Sequence, residues 1–506
     1  MRFPILPSAV LATLLALPTV SPAAPQKDGW PFGATTAFEK RDLFNLGPLG
    51  AKASDEINGE PERGATGRRS VQLDPGAGGP DVGPERLKIE ILFPGGPAAT
   101  AGLQVGDVLI GAGGKKFNKG SFEPLADGIV KAMSDTSDGV LKLQIERDGK
   151  KENLEVTLPA MGKAFSKPTT DKGRAPVIER SLAWLAERQR PDGGFPETLG
   201  GATGAVVATS VAGLAWIAGG SNLENGPHAG NLATAWKFVV ENAGKQGPLP
   251  KGDANWNQEN WAWVHAGIFL GELYAQSPND DLESGLETVK DGILRGVETT
   301  GGFGHGPGGP NALGYVELNI MTGLALSGLG MCQRAGLEVD EDIVKSMMEY
   351  IDASSSGGGV GYSTNDGQVG QGNIGRSAIT WLGYRNLGLG KSKMGKSLGS
   401  YVKGNVDAYM DGHASLMQHI LFAGVAAQAQ GGGAEKSYWS AIERDMILAM
   451  GPDGSFQPRP WAESISMASN SDVSFGDVWT TACWSIVLAC KPDKEGTRGL
   501  PVWLAK

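Results

Sequence analysis

The stretch QRPDGGF, residues 189–195, joins two segments of different composition and decides the fold. Val177–Gln189, before it, mixes charged and apolar residues. Thr203–Ile217, after it, consists mostly of small and apolar residues. A glycine pair gives the backbone freedom that a tight turn needs, and both flanking segments are long enough for helices. The sequence therefore predicts a helical hairpin with a charged outer helix and a small-residue inner helix.

This hairpin pattern recurs about every 50 residues, which is typical of repeat architectures. The predicted outer and inner helices are Val177–Gln189 with Thr203–Ile217, Leu232–Gly244 with Asn260–Tyr274, Gly285–Gly296 with Tyr315–Gly330, Ile343–Ala353 with Ile374–Leu387, Lys393–Tyr401 with His413–Ala429, and Trp439–Met450 with Val478–Cys490. Six hairpins with short turns predict a closed all-α (α/α)6 toroid over residues 177–491. Small side chains would let the inner helices crowd around one axis.

The turn at residues 189–195 is similar to the Q-x-x-D-G-G-F/W turn of terpene cyclases and prenyltransferases, and residues 452–456 (PDGSF) echo it. The similarity implies the toroid fold but no activity, because the turn is structural. The whole domain order resembles an uncharacterised family of exported bacterial proteins, in which a PDZ domain precedes such a toroid. That resemblance covers nearly the whole mature chain and brings no known function.

The run GGPAATAGLQVGDVLIGAGGKKF, residues 95–117, resembles the PDZ domains of exported bacterial proteases. It implies a small α+β domain over residues 43–160, interrupted by a flexible insertion at 51–86 that has no aromatic residue. PDZ domains bind extended peptides or protein C-termini by strand addition. The predicted peptide-binding residues are Leu46, Gly47, Pro48, Leu49 and Gly50 in the carboxylate-binding loop, facing Leu125, Ile129 and Met133. The last three equally fit a plain hydrophobic core.

The N-terminus predicts export. Arg2 precedes the apolar run Ala9–Val20, and Ser21-Pro22-Ala23 places small residues at a cleavage site. We therefore expect a signal peptide cleaved after Ala23 and a periplasmic or secreted protein. The remaining divisions are a linker at 24–42, a linker at 161–176 and a C-terminal tail at 492–506.

Charge and motifs exclude several classes of function. The 45 basic and 55 acidic residues give a net charge of −10, which disfavours nucleic acid or an anionic membrane as the main partner. Cys332, Cys483 and Cys490 are an odd number and have no histidine nearby in the sequence, so we expect no disulfide framework, metal site or cofactor. The chain also lacks the acid motif of terpene cyclases, the thioester motif and the serine nucleophile motif.

A polar and aromatic set remains near the starts of the inner helices, which share one end of a toroid. The candidate cavity residues are Trp256, Glu259, Trp261, His265, Tyr315, Glu317, Asn319, Arg376, His413 and Asp477. Tryptophan platforms with paired carboxylates are what a glycan cleft requires. Asparagine and aspartate at helix starts equally serve as caps.

The sequence favours an exported PDZ–toroid protein with a non-catalytic role, either as a scaffold or in binding peptides and ligands. A glycan or small ligand would then occupy the toroid. The alternative is a carbohydrate-active enzyme, a glycoside hydrolase or polysaccharide lyase that uses the toroid cavity. An enzyme should place two carboxylates, or His265 beside Glu317 or Asp477, within about 5–10 Å of each other. A binding protein should show these groups capping helices or otherwise paired.

Overall fold

The structure is a computed structural model. It describes residues 43–56, 82–134, 138–196, 202–245, 258–306, 317–365, 369–411, 415–457, 470–492 and 498–504. The predicted signal peptide and the linker at 24–42 lie outside these residues. The described chain forms a small antiparallel sheet domain followed by a larger helical domain.

The N-terminal sheet domain has seven strands in the order β1-β2-β3-β4-β6-β7, with β5 paired to β4. The strands are β1 (Phe44–Asn45), β2 (Ala51–Asp55), β3 (Leu87–Leu92), β4 (Val108–Ala112), β5 (Lys115–Lys116), β6 (Val140–Arg147) and β7 (Lys150–Thr157), with helices α1 (Pro97–Thr100) and α2 (Phe122–Met133). Asp148 and Gly149 both have positive φ, as the tight hairpin turn between β6 and β7 requires.

The prediction of a flexible insertion over 51–86 is wrong at its start. Residues 51–55 form β2, which pairs with β3 because Ala51 and Ala53 are small and buried against the domain core. Residues 57–81 lie outside the described part of the chain.

The helical domain alternates outer and inner helices along the chain. The outer helices are α3 (Asp171–Arg188), α5 (Ala229–Asn242), α7 (Asp280–Arg295), α9 (Glu341–Ser354), α11 (Lys393–Asn405) and α13 (Gly432–Ala449). The inner helices are α4 (Ala202–Ala218), α6 (Glu259–Gln276), α8 (Asn319–Arg334), α10 (Ile374–Asn386), α12 (Leu416–Gln430) and α14 (Asn470–Ala489). A short hairpin, β8 (Ser355–Ser356) with β9 (Gly359–Val360), follows α9.

The inner helices form a closed ring. Each packs against the next along the chain, and α14 packs against α4, so the last hairpin meets the first. The largest corrections to predicted helix starts are at α3, α13 and α14. Helix α3 begins inside the expected 161–176 linker, because the Thr170 side chain accepts a hydrogen bond from the Gly173 N–H. Helix α14 begins at Asn470 and kinks at Gly476, and α13 begins at Gly432.

Each described glycine turn docks on the outer helix of the next hairpin. In the first turn Gly193 has φ +89°, and a Cβ there would overlap the carbonyl oxygen of Thr234 in α5. A Cβ on Gly194 would lie 2.5 Å from the ring of Phe238, one helical turn further along α5. Only glycine fits both positions, because one needs left-handed backbone and both need the missing side chain.

The same contact recurs around the ring. A positive-φ glycine abuts a backbone carbonyl of the next outer helix, and an aromatic residue stands four positions after that carbonyl. The sets are Gly301 with Ser346 and Tyr350, Gly358 with Ser397 and Tyr401, and Gly454 with Arg180 and Trp184. The last set joins the sixth hairpin to α3 of the first, so the repeated contact also closes the ring.

We expect Gly194→Val to lower the free energy of unfolding by roughly 1–3 kcal/mol, because the new side chain overpacks against Phe238. Chemical denaturation of the full chain would measure this. The matched control is Gly404→Val on α11, where a Cβ would meet nothing within 4 Å; it should change stability by less than about 0.5 kcal/mol. Equal effects at the two sites would contradict the docking account.

Candidate functional site

An aromatic and histidine cluster lies at the N-terminal end of the inner helices. Trp261 and His265 are four residues apart on α6, so they share one face and their rings stack with centroids 6.1 Å apart. The Trp261 indole donates a 2.8 Å hydrogen bond to Nδ1 of His305, which lies between α7 and α8. Trp261 is partly buried, which leaves part of its ring accessible.

His265 carries a buried acceptor for which the described residues supply no hydrogen-bond donor. Its Nδ1 lies 2.8 Å from the carbonyl oxygen of Trp261. A carbonyl only accepts, so Nδ1 holds the proton and Nε2 is a bare acceptor. Nε2 has no hydrogen-bond partner among the described residues, although the side chain is only 3% exposed. Burial lowers the pKa of His265 to about 4, so the ring is neutral at physiological pH.

The His265 ring faces the inside of the helical ring. It meets Trp479 of α14 edge to face, with centroids 5.8 Å apart. Helix α4 separates α6 from α14 in the ring, so a direct contact between them can only pass along the interior. Phe475 lies 5.2 Å from Trp479. We call Trp261, His265, His305, Phe475 and Trp479 the aromatic–histidine cluster.

The carboxylates near this end are held by structural partners. Glu259 accepts a 2.8 Å hydrogen bond from the Trp263 indole, and Glu317 accepts one of 3.2 Å from the Thr300 hydroxyl. Asp472 accepts from the Ser415 hydroxyl at 2.5 Å and from the Met417 N–H at 3.1 Å, so it caps α12.

Two further candidates hold loops in place. The Asn319 amide donates to the Ser354 hydroxyl at 2.7 Å and to the Gly361 carbonyl at 3.0 Å. Arg376 donates to the carbonyls of Val360 and Gln371 at 3.2 and 3.0 Å, and burial lowers its pKa to about 10. The donors of both side chains are therefore used within the protein, on backbone carbonyls and on Ser354.

Asp477 differs from the other candidate acids. It follows the kink at Gly476, and burial raises its pKa to about 6, opposed by Arg188 and reinforced by Asp453. Asp477 therefore keeps a proton near neutral pH more readily than an ordinary aspartate. Its charged neighbours belong to α3 and to the sixth turn, at the seam where the ring closes.

The structure brings together only part of the predicted cavity set. Trp261 and His265 meet, whereas no hydrogen bond joins His265 to Glu317 or Asp477. Trp256, Tyr315 and His413 lie outside the described residues. Two histidines at this end of the ring were not predicted: His305, which follows a glycine turn, and His419. The Nδ1 of His419 bonds the carbonyl of Ser415 on α12, as His265 bonds Trp261 on α6. A histidine within an inner helix was the signal that could have found His419.

The C-terminal tail closes the opposite end of the ring. Backbone N–H groups of Gly499 and Leu500 donate to the carbonyls of Ala218 and Cys490, at the ends of α4 and α14. The other tail contacts are Val502 and Trp503 with Glu272 of α6, Trp503 with Ser327 of α8, Leu504 with Arg385 of α10, and Trp503 with Phe422 of α12. Residues 498–504, here called the plug, thus touch every inner helix or its end.

Glu272 anchors the plug from within the ring. Its buried carboxylate accepts hydrogen bonds from the Val502 N–H at 3.2 Å and the Trp503 N–H at 2.9 Å. Burial raises its pKa to about 7, against the lowering effect of these two bonds, of Gln276 and of Arg334. Within the C-terminal tail predicted at 492–506, Leu500 and Trp503 are therefore buried against the ring.

The predicted peptide groove is covered by the helical domain. All eight predicted residues are buried: Leu46, Gly47, Pro48, Leu49, Gly50, Leu125, Ile129 and Met133. The Asn45 amide donates a 2.5 Å hydrogen bond to the carbonyl of Leu448 at the end of α13. Strand β2 is paired on both edges at Lys52, with Asn45 and with Ile91. In this arrangement the eight residues are buried, so a peptide could reach them only if the sheet domain separated from the helical domain.

The helical domain matches a known family. The family model described as "Domain of unknown function (DUF6288)" covers residues 177–491, more than half of the chain. The chain belongs to this family. The plug lies beyond the matched residues.

One curated relative is similar to a short part of the chain. It is a "Probable periplasmic serine endoprotease DegP-like" of Pseudomonas putida (strain W619), 38% identical over 86 residues. The match spans 17% of this chain and 17% of that protein.

Solved structures that resemble the chain have low identity. An inactive variant of the alpha-1,6-mannanase GH76A of Salegentibacter sp. HEL1_6, in complex with alpha-1,6-mannotriose, has TM-score 0.43 and 10% identity, over 62% of this chain and 99% of that one. The type II terpene cyclase MstE from Scytonema has TM-score 0.36 and 12% identity, over 62% and 96%. An unsaturated glucuronyl hydrolase from Bacillus sp. GL1 has TM-score 0.32 and 12% identity, over 75% and 97%.

Within the described residues, none of the helices combines the length and the apolar character that crossing a membrane requires. The same residues contain no cluster of three or more histidine, cysteine, aspartate or glutamate side chains suited to a metal ion.

Glu272→Gln should flatten the pH dependence of stability. Its pKa of about 7 in the folded protein exceeds the ordinary 4.5, so the folded state binds more protons. Stability therefore falls as pH rises from about 4.5 to about 7, by an amount of order 3 kcal/mol. Denaturation measured from pH 4 to 8 should show that this decrease in stability is absent from the variant. The exposed Glu287→Gln, on α7, should leave it intact, and an unchanged slope in Glu272→Gln would contradict the account.

Because the sheet domain is docked on the helical domain and the groove residues are buried, we expect that no member of a C-terminal peptide library binds the full chain. Asn45→Ala should lower the free energy of unfolding by about 1–3 kcal/mol, because the buried Leu448 carbonyl loses its donor. The exposed Asn153→Ala on β7 is the matched control and should be neutral. A peptide that binds the wild-type chain and contacts Leu46–Gly50 would show that the groove opens.

Proposed function

We propose that the helical ring binds a neutral saccharide at the aromatic–histidine cluster, in an exported protein. The observation that carries this proposal is the buried Nε2 of His265, which has no hydrogen-bond partner among the described residues and lies beside the partly accessible ring of Trp261. Buried polar atoms in native proteins nearly always have a partner, so a bare acceptor marks a place where a ligand or water donates.

The chemistry of the cluster fits a sugar. Ligand sites combine aromatic surface with a few placed polar groups. An indole face offers an apolar platform, and an imidazole acceptor needs a hydroxyl donor. Because the low pKa of His265 keeps it neutral, it would not attract a carboxylate or a phosphate.

The sheet domain has a different role in this proposal. We infer a PDZ-type fold that braces the ring instead of capturing free peptides. It contacts both sides of the closing seam: Pro48 and Met133 line one small cavity with Arg180 of α3 and Phe456 of the sixth turn. A module docked across the seam resists separation of the first and last hairpins.

A carbohydrate-active enzyme is the second candidate, and Asp477 is the observation that favours it. A carboxyl with a pKa of about 6 can act as a general acid near neutral pH. Glycoside hydrolysis also needs a second carboxylate. Asp453 is the neighbouring acid, but it accepts hydrogen bonds from Trp184 and Ser455. Because Asp453 is already engaged in these hydrogen bonds, it is poorly placed to serve as the second carboxylate. A binding role is therefore favoured over a catalytic one.

Binding can be tested on an array of neutral oligosaccharides with the full chain. We expect a positive signal, and Trp261→Ala should weaken binding at least tenfold, as aromatic anchors typically contribute about 1.4 kcal/mol or more. His265→Phe keeps an aromatic ring but removes the acceptor, and it should also weaken binding.

The matched control is Trp236→Ala on the outer helix α5, which should bind like the wild type. A wild-type chain that binds no oligosaccharide, or a Trp261→Ala variant that binds equally well, would refute the proposal. Product analysis with bound glycans separates the two candidates. Turnover that Asp477→Asn abolishes would establish the enzyme.

A further inference from the structure

We propose that the end of the ring that holds the plug is a peptide-binding site. Residues 498–504 occupy it as a separable ligand, and the site accepts the same segment in trans. The ligand it fits is an apolar peptide turn with a leucine and a tryptophan three positions apart. The proposal is independent of the saccharide site, because it concerns the opposite end of the ring.

The ring closes through contacts in which the plug takes no part. The Ser485 hydroxyl of α14 donates to the Ser181 hydroxyl of α3 at 2.8 Å, and Arg174 of α3 donates to the carbonyl of Leu488 of α14 at 3.0 Å. The inner helices α4 and α14 also pack directly against each other. The matched family model, over residues 177–491, ends before the plug. We therefore expect the ring to fold when the plug is absent.

The plug is a single turn with one apolar face. The Leu504 N–H donates to the Leu500 carbonyl at 3.0 Å, which closes one helical turn. Leu500 and Trp503 are three positions apart and therefore share a face. Both side chains are buried against the ring, whereas Pro501 between them is exposed. The plug thus meets the ring as a short amphipathic peptide meets its receptor, through apolar anchors on one side.

The ring holds the tryptophan with side chains from three inner helices. The indole N–H of Trp503 donates to the Ser327 hydroxyl of α8 at 3.2 Å, and the ring meets Phe422 of α12 edge to face. The backbone N–H of Trp503 donates to Glu272 of α6 at 2.9 Å. A buried aromatic anchor of this kind typically dominates the affinity of an interface.

Glu272 recognises a peptide backbone. Its two carboxylate oxygens accept from the successive N–H groups of Val502 and Trp503. A competing ligand without these donors would leave the buried carboxylate unpaired, which costs affinity. The site therefore favours two consecutive N–H groups and excludes proline at both positions. At the next residue the Arg385 guanidinium donates to the Leu504 carbonyl at 3.1 Å, so the ring also satisfies a backbone acceptor.

The test keeps the full chain and empties its site. In the double variant Leu500→Asp with Trp503→Ala, the plug loses both anchors, and the new carboxylate would be unpaired in an apolar site. We expect this chain to stay folded and to melt cooperatively. A fluorescently labelled peptide of residues 498–504 should bind it, as measured by fluorescence polarisation. The wild-type chain should bind the peptide at least tenfold more weakly, because its own tethered plug competes at an effective concentration of about 1 mM.

Changes in the peptide separate recognition of the anchor from recognition of the backbone. Alanine in place of Trp503 should raise the dissociation constant at least tenfold. Methylation of the backbone nitrogens of Val502 and Trp503 keeps every side chain but removes both donors to Glu272, and its effect should be of similar size. Alanine in place of the exposed Pro501 is the matched control and should change the dissociation constant less than about threefold.

Each contrary result would overturn the proposal. A double variant that does not melt cooperatively would show that the plug is part of the fold and not a ligand. A folded double variant that binds no peptide, or that binds the peptide lacking Trp503 equally well, would show that the ring has no such site. Equal binding by the wild-type chain and the double variant would place the peptide elsewhere on the protein.

Discussion

The contact between each glycine turn and the outer helix of the next hairpin is the constraint on which the architecture depends. At Gly193, Gly301, Gly358 and Gly454 the chain passes so close to a backbone carbonyl that a side chain would not fit. This contact sets the spacing of neighbouring hairpins. Because the turn at Gly454 docks on the first hairpin as Gly193 docks on the second, the same local rule produces a closed ring.

Much of the fold could be predicted from the sequence, because its determinants are local. Glycine pairs such as Gly193-Gly194 mark turns, and the small-residue segments mark inner helices. The plug could not be predicted in this way. Trp503 is one aromatic residue in a short tail, and its partners Glu272, Ser327 and Phe422 are more than 80 positions away. Such contacts are specified by the assembled ring and leave no pattern in the neighbouring sequence.

The site was predictable only in part, for a related reason. Residue type alone does not separate a ligand-binding group from a cap. Asn319 and Arg376 looked like cavity residues, yet their donors are used on backbone carbonyls. His265 looked similar, yet its Nε2 has no hydrogen-bond partner in the part of the chain that the structure describes. The groove residues Leu46 and Ile129 were correctly identified as apolar, but their sequence does not reveal that α13 covers them.

Ring closure also determines when the structure can be completed during synthesis. The hydrogen bond from Arg180 to Pro452 joins residues 272 positions apart, and that from Asn45 to Leu448 spans 403. The first hairpin must therefore wait for nearly the whole chain before it finds its second neighbour. Such long-range contacts are slow to form and leave apolar surfaces uncovered in the meantime. We expect folding intermediates of this chain to be vulnerable to aggregation and proteolysis until the sixth hairpin arrives.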